Sequence, residues 1–410
     1  MLLGWARSLV RALKLAERTL PGAEVVAIGV LSLAVAIGVG RFAFTPLLPL
    51  MLRDGVIDAS TGAEWAAANY VGYLIGAMTA ARFASDPRAG LRLALLGVTL
   101  STVPVSLALS TASPAFGMLL RTAAGVFSAW TLVCASSWCL SELARRQVAY
   151  LGAWMYTGVG VGIAIVGAFV WLTGFQSASA MWTQTGMLSA LGTAWIWWRI
   201  PTGPLPTPAA VAATPDPRRP PVDGHWKLVW CYGVFGFGYI ILATFLPTMA
   251  RERVSNPLVF GLAWPLFGLA AAASVAVAAH WLHKRTRLQV WAAAQGLMAV
   301  GTVLPLASRS LGSLVASAIL VGGTFMVTTM AGLQYARERV PLNPTPLVAR
   351  MTMAFALGQI AGPLLVRALD GDRWLGLDAF DVANALAAAL LGGTAAVLWR
   401  AGTRTSIARA

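Results

Sequence analysis

Twelve runs of mainly apolar residues divide this chain: 24–51, 61–83, 89–110, 114–140, 147–172, 179–199, 226–250, 257–283, 286–308, 312–335, 346–369 and 379–400. About 20 residues of helix span the roughly 30 Å of a bilayer's hydrocarbon, so each run is long enough to cross. In lipid the backbone must satisfy its own hydrogen bonds, which restricts such runs to helices. The chain is 58% apolar and 11% charged. The fold class expected is an all-α integral membrane protein of twelve transmembrane helices.

Charge placement orients these runs. The net charge of +15 could suggest a nucleic-acid partner. The Lys and Arg residues instead fall on alternate loops: Arg82 and Arg88, Arg145 and Arg146, Arg218 and Arg219, Lys284 and Arg285, and Arg337 and Arg339 share one side. A nucleic-acid face would cluster its charge without this alternation. The positive-inside rule puts that side, both termini and the central linker in the cytoplasm of a cell (plasma or inner) membrane. Residues 1–22 read as a basic amphipathic segment on the cytoplasmic leaflet, not as a signal peptide. Residues 201–225 carry eight prolines in a polar segment and read as an extended linker between halves 23–200 and 226–400, with 401–410 a cytoplasmic tail.

The halves are related in sequence. Gly38–Arg53 aligns with Gly236–Arg251 at an offset of 198, with six of sixteen positions identical, among them Gly38/Gly236, Gly40/Gly238 and Pro49/Pro247. These six residues are expected to serve gating or close packing. Arg41 is replaced by Tyr239. The offset also pairs Gly125 with Gly323 and Gly160 with Gly358. Repeated halves around a central site mark secondary transporters.

Chemistry concentrates in a few polar positions inside the spans. Arg41 lies within the first run among helix-breaking glycines and prolines. A guanidinium at that depth is tolerated facing protein or a water-filled cavity. Arg121 is a second deep arginine, unless it snorkels to the interface. Asn69 and Tyr73, four residues apart, share one helix face with Trp65. Asn69 serves either as cavity lining or as interhelical glue. Gly72 and Gly76 form a small-xxx-small pair for close helix contact. Gly158, Gly160 and Gly162 mimic a phosphate loop, but no strand precedes them, so close packing is the expectation. Gly358, Gly362 and Pro363 mark the corresponding part of the second half, beside the amide Gln359.

Gly38–Met51, Trp65–Ala77, Gly152–Gly167, Gly322–Gln334 and Phe355–Pro363 resemble the major facilitator superfamily, and within it the uncharacterised YbfB/YjiJ-type branch. The resemblance covers about residues 24–400 and implies two pseudo-symmetric six-helix halves rocking in alternating access. The sequence departs from the superfamily's Gly-x-x-x-Asp-Arg loop: Gly76 is followed at that spacing by Ala80. The inter-half gating contact is then either missing or made by Arg82 and Asp86.

None of the fifteen acidic residues lies near the middle of a span, and the three histidines lie in cytoplasmic segments. A pump's usual intramembrane Asp, Glu or His relay is therefore absent. Two deep cations without carboxylate partners invite an anion, and arginine captures carboxylate or phosphate bidentately. The expected substrate-binding set is Arg41, Asn69, Tyr73, Arg121, Tyr156, Tyr239 and Gln359, for a small organic anion. A proton could travel with it or via Glu64 or Glu24. The alternative role for Arg41 is to cap carbonyls of a broken helix. Alternative functions are a multidrug exporter lined by Trp130, Trp138, Trp154 and Tyr156, or a non-transporting sensor of the same fold. No enzyme constellation, cofactor, metal site or nucleic-acid partner is expected. The partners expected are a small-molecule substrate, the bilayer and a coupling proton, for a monomeric protein.

Overall fold

A computed structural model describes residues 21–83, 85–201, 225–253, 261–281, 285–341, 344–369 and 378–407. The N-terminal amphipathic segment and most of the Pro-rich linker lie outside the described residues. So do Asp370 and Asp372, and Pro247 is described in its backbone alone. Twelve helical rods and no strand occur among the described residues. They are α1 (Gly22–Arg53), α2 (Ala59–Thr79), α3 (Pro87–Ser110), α4 (Pro114–Arg145), α5 (Ala149–Thr173) and α6 (Ala178–Arg199). The second set is α7 (Trp226–Arg253), α8 (Ala263–Trp281), α9 (Arg287–Ala307), α10 (Leu311–Arg339), α11 (Thr345–Ala368) and α12 (Ala379–Ile407). Ten of the twelve are long and apolar enough to cross a membrane. The other two, α2 and α6, are diluted by polar residues such as Asn69, Thr183 and Gln184.

Side-chain caps fix where several rods begin. Asp58, Asp86, Ser177 and Ser310 each accept from a backbone N–H in the first turn of α2, α3, α6 and α10. Thr286 and Gln289 form a reciprocal capping box on α9. Each satisfies donors that a helix start leaves without a partner.

Asp54, in the loop after α1, accepts from Ala178 N at 2.6 Å and pairs with Arg53 at 2.8 Å. The Arg53 hydrogen bond, with help from Ala178, holds its carboxyl below the ordinary value. A depressed carboxylate stabilises the fold at pH above its unfolded value, about 3.9, and loses that contribution as pH falls through the folded value. The melting-temperature difference between wild type and Asp54→Asn, present at pH 7, should therefore shrink progressively as the pH falls below about 3.9.

The rods pack mainly within α1–α6 and within α7–α12, with α2 against α4 and α9 against α10 and α12. Across the middle, α2 meets α11 and α5 meets α8. Adding six to the helix numbers of one pair, modulo twelve, gives the other, as expected for two related halves. The common offset is not carried into every contact, however. Gly160 faces Gly268 and Ala272 of α8 in the other half, whereas Gly358 faces Gly233 and Phe237 of α7 in its own. By packing, Gly358 corresponds to Gly162, which lies on α1 at Ala34 and Gly38.

Gly238 and Gly40 make room for different neighbours. A β-carbon at Gly40 would meet Val98 of α3 and the carbonyl of Ala36. The offset would then set Gly238 against α9, but a β-carbon there meets the side chain of Leu391 on α12. Gly238 thus makes room for a leucine inside the second half. A side chain of its own half, not a helix backbone, fills the notch that its missing β-carbon leaves. Gly236, two residues earlier, does abut backbone, at the carbonyl of Phe355 on α11.

Gly72 shows why small residues sit on these faces. A β-carbon there would run into the carbonyl of Thr122 on α4, and one at Gly125 into the carbonyl of Asn69. The obstruction is backbone, which cannot rotate away. Gly72→Val should abolish the monodisperse peak in size-exclusion chromatography.

Candidate functional site

The site begins at a break in α1. Regular α-helix stops at Leu33, a π-helical stretch runs from Ala34 to Val39, and helix resumes at Phe44. Proline lacks an N–H, so Pro46 cannot bond the carbonyl of Phe42 four residues back. Thr45 N bonds Phe42 O instead, at 3.3 Å, and Arg41 O loses its usual intrahelical donor. Arg121 of α4 supplies the missing donors: Nη1 bonds Gly40 O at 2.9 Å and Nη2 bonds Arg41 O at 3.0 Å. Ser128 Oγ donates likewise to Ala36 O at 2.7 Å. Asn69 of α2 donates through Nδ2 to Arg121 O at 3.0 Å, and Trp65 donates to Pro114 O at 3.0 Å. Polar groups of α2 and α4 thus hold the broken backbone that presents Arg41.

The Arg41 side chain is 4% exposed and reaches the boundary between the halves. Its Nη2 donates to Gln359 Oε1 on α11, and Gln359 Nε2 donates to the Tyr239 hydroxyl on α7. The guanidinium carbon sits 4.0 Å from the Tyr73 ring centre, with Phe42 and Tyr70 at 5.3 and 5.5 Å. Arg41 Nε is buried without a hydrogen-bond partner. Arg41, Tyr73 and Tyr239 border a central cavity of about 30 Å³. Its remaining wall includes Phe42, Tyr232, Phe325 and Phe355, with the hydroxyls of Thr329 and Thr352. Tyr239 is sandwiched between Phe325 and Phe355, centroids 5.4 and 5.5 Å away and planes within 9°.

Of the expected binding set, the structure brings Arg41, Tyr73, Tyr239 and Gln359 together. It places the other three differently. The guanidinium of Arg121 is spent on carbonyls and stacks near Phe44, 4.9 Å away, so it is a buried prop and not an interfacial snorkel. Asn69 is interhelical glue, and so is Gln295, whose Nε2 donates to Thr394 Oγ1 on α12. Tyr156 bonds Ser136 Oγ at 3.2 Å and does not border the cavity. The aromatic lining expected from Trp130, Trp138 and Trp154 is not there either: Trp130, for example, donates to Thr79 Oγ1 at 2.8 Å. Neither Arg82 nor Asp86 makes the suspected gating contact. Arg82 bonds Thr79 O and lies over Trp130, and Asp86 caps α3.

The sequence reading missed Tyr232, Phe325 and Phe355 at the cavity. Their signal was weak, since aromatic residues in an apolar helix look alike whether they face a cavity or lipid. It also missed Arg337 of α10, which bonds Ser137 O at 3.3 Å and Ser141 Oγ at 2.7 Å on α4 and so ties the halves on the basic-loop side. A larger groove of about 790 Å³ runs between α7, α11 and α12. Its lining is apolar, and the exposed Trp226 and Trp230 stand at its edge, so it carries no polar chemistry.

A helical bundle in two sets, joined along α2–α11 and α5–α8 around a central polar group, defines a major facilitator transporter: a multi-pass membrane protein and not an enzyme. More particularly, residues 33–398 match the family described as the uncharacterised MFS-type transporter YbfB, and the chain belongs to that family. Among solved structures, the human organic anion transporter MFSD10 (TETRAN) is similar in fold, with a TM-score of 0.69 and 16% identity, over 92% of this chain and 100% of that one. Comparison with curated protein sequences finds no match.

Proposed function

We propose that this transporter carries a small organic anion across the cell membrane by alternating access, with the acidic group held by Arg41. The observation that carries the proposal is a buried guanidinium between the two halves whose hydrogen-bond acceptor is an amide and not a carboxylate. Burying a charge without an ionic partner is costly, and a site that bears this cost is organised to receive one. The rings around it supply apolar contact for the rest of the ligand. The fold shared with an organic anion transporter is compatible with this cargo. Tyr73, Tyr239 and Gln359 complete the proposed site. Thirty cubic ångströms is room for about two waters, so an anion enters only when the halves part on one side. The glycines and prolines of α1, α5, α7 and α11 would take up that rocking. The alternation of basic loops supports cytoplasmic termini. Glu24, one candidate for carrying a coupling proton, is ion-paired with Arg199.

Three probes of one shape test the proposal: benzoate, benzamide and benzylammonium, against purified wild type and Arg41→Ala. A ligand at 100 times its Kd adds about 2.7 kcal/mol to native stability. Benzoate alone should raise the melting temperature of wild type, and the variant should lose the response. Equal stabilisation by benzamide or benzylammonium, or a benzoate response surviving in Arg41→Ala, would instead favour a carrier of lipophilic compounds.

A further inference from the structure

The contact that Gln359 makes with Arg41 joins the two halves at the proposed site itself. Arg41 belongs to α1 and Gln359 to α11, and Gln359 is fully buried. Its amide is held from behind, since Nε2 donates to the Tyr239 hydroxyl while Oε1 accepts from the guanidinium. A carboxamide oxygen is a planar acceptor with two lone pairs, as is each oxygen of a carboxylate. The protein's own acceptor therefore occupies a position at Arg41 suited to an oxygen of a bound anion.

We infer that Gln359 is a built-in surrogate for the substrate's acidic group, which lets the unloaded carrier close around Arg41 and return across the membrane. Arginine stays protonated, so closing the cavity with no acceptor would bury an unpaired cation. With Gln359 swung onto Arg41 the closed form has a protein acceptor at Nη2, although Nε stays without one. Against a charged guanidinium a carboxylate adds ionic attraction and a bidentate geometry that a neutral amide lacks. An anion arriving in the open cavity thus displaces Gln359, and the amide takes the position back after release. Small residues flank the amide on α11, at Gly358 and Gly362, and Pro363 follows. Proline removes a hydrogen bond from a helix interior and loosens it. This inference rests on the anion proposal and adds to it the coupling mode: net transport in addition to one-for-one exchange.

The test uses the full-length protein in lipid vesicles at pH 8, with radiolabelled benzoate, a clamped membrane potential and leak through protein-free vesicles subtracted. Exchange is uptake into vesicles preloaded with unlabelled benzoate; net transport is uptake into vesicles loaded with buffer alone. Wild type should show both. Gln359→Leu should lower net uptake at least tenfold further than it lowers exchange, since the loaded carrier brings its own acceptor. If that variant does not fold, Gln359→Met, of similar length, carries the same comparison. Gln359→Glu should lose both activities at least tenfold and its stabilisation by benzoate, because a tethered carboxylate holds Arg41. Equal losses of exchange and net uptake in Gln359→Leu, or no loss of either, overturn the surrogate role. Exchange without net uptake in wild type overturns it too. Absence of both activities in wild type overturns the anion proposal itself, and this inference with it.

Discussion

Arg121→Leu is expected to destabilise the first half of this protein more than the loss of any other polar side chain there. The guanidinium makes two hydrogen bonds to carbonyls that the break in α1 leaves without helical donors. Bonds from a charged donor are worth about 1.5–3 kcal/mol each. Leucine fills part of the volume, but it leaves the carbonyls of Gly40 and Arg41 without these donors in an interior that water does not reach. Relief from burying a cation offsets some of the loss. A net cost of about 3 kcal/mol remains, which for a unit the size of one half lowers the melting temperature by roughly 6–12 °C. Arg121→Lys should fall between the two, because a point charge cannot fork to both carbonyls. An unchanged melting temperature for Arg121→Leu would show that the broken backbone holds without its prop.

Arg41→Ala should give the opposite balance: stability nearly unchanged or raised, and benzoate flux reduced at least about 100-fold. Arg41 makes one hydrogen bond, to an amide, and otherwise lies against rings, so removing it frees the fold from burying a cation. Sites of function commonly carry such costs in stability. Two charge-assisted bonds to a carboxylate, at about 1.5–3 kcal/mol each, correspond to more than two decades in affinity. Arg41→Lys should retain part of the flux, because the charge stays and the fork is lost. Initial rates in vesicles decide this. A melting temperature that falls for Arg41→Ala as it does for Arg121→Leu, with flux preserved, would make Arg41 a second structural prop.

The contrast between these two arginines shows what the sequence could and could not reveal. Both stood out for one reason: a permanent charge inside an apolar run. Their roles diverge through atoms distant in sequence. Pro46 orphans a carbonyl on α1, and Arg121, eighty residues away from Arg41, faces that carbonyl. Arg41 itself faces α11, 318 residues on. Asn69 and Tyr73 share a helix stripe, yet one turn separates a residue that fastens α2 to α4 from one whose ring lies under Arg41. Tyr156 and Tyr239 both stood in the expected binding set, and only packing sends the Tyr156 hydroxyl to Ser136. Gly40 and Gly238 are identical by alignment, and only packing turns one toward α3 and the other toward α12.

Sequence alone determined the membrane class, the helical runs and the relation between the halves, and it singled out Arg41. Each follows from local chemistry: run length against bilayer thickness, charge alternation along the chain, and the cost of an ion in hydrocarbon. Tertiary structure alone decided that Arg121 is a prop, that Gln359 links Arg41 to Tyr239, and that Tyr232, Phe325 and Phe355 wall the cavity. Those outcomes depend on which face of each helix turns inward. In lipid both faces of a helix are apolar, so sequence periodicity is weak and the choice is left to contacts between helices.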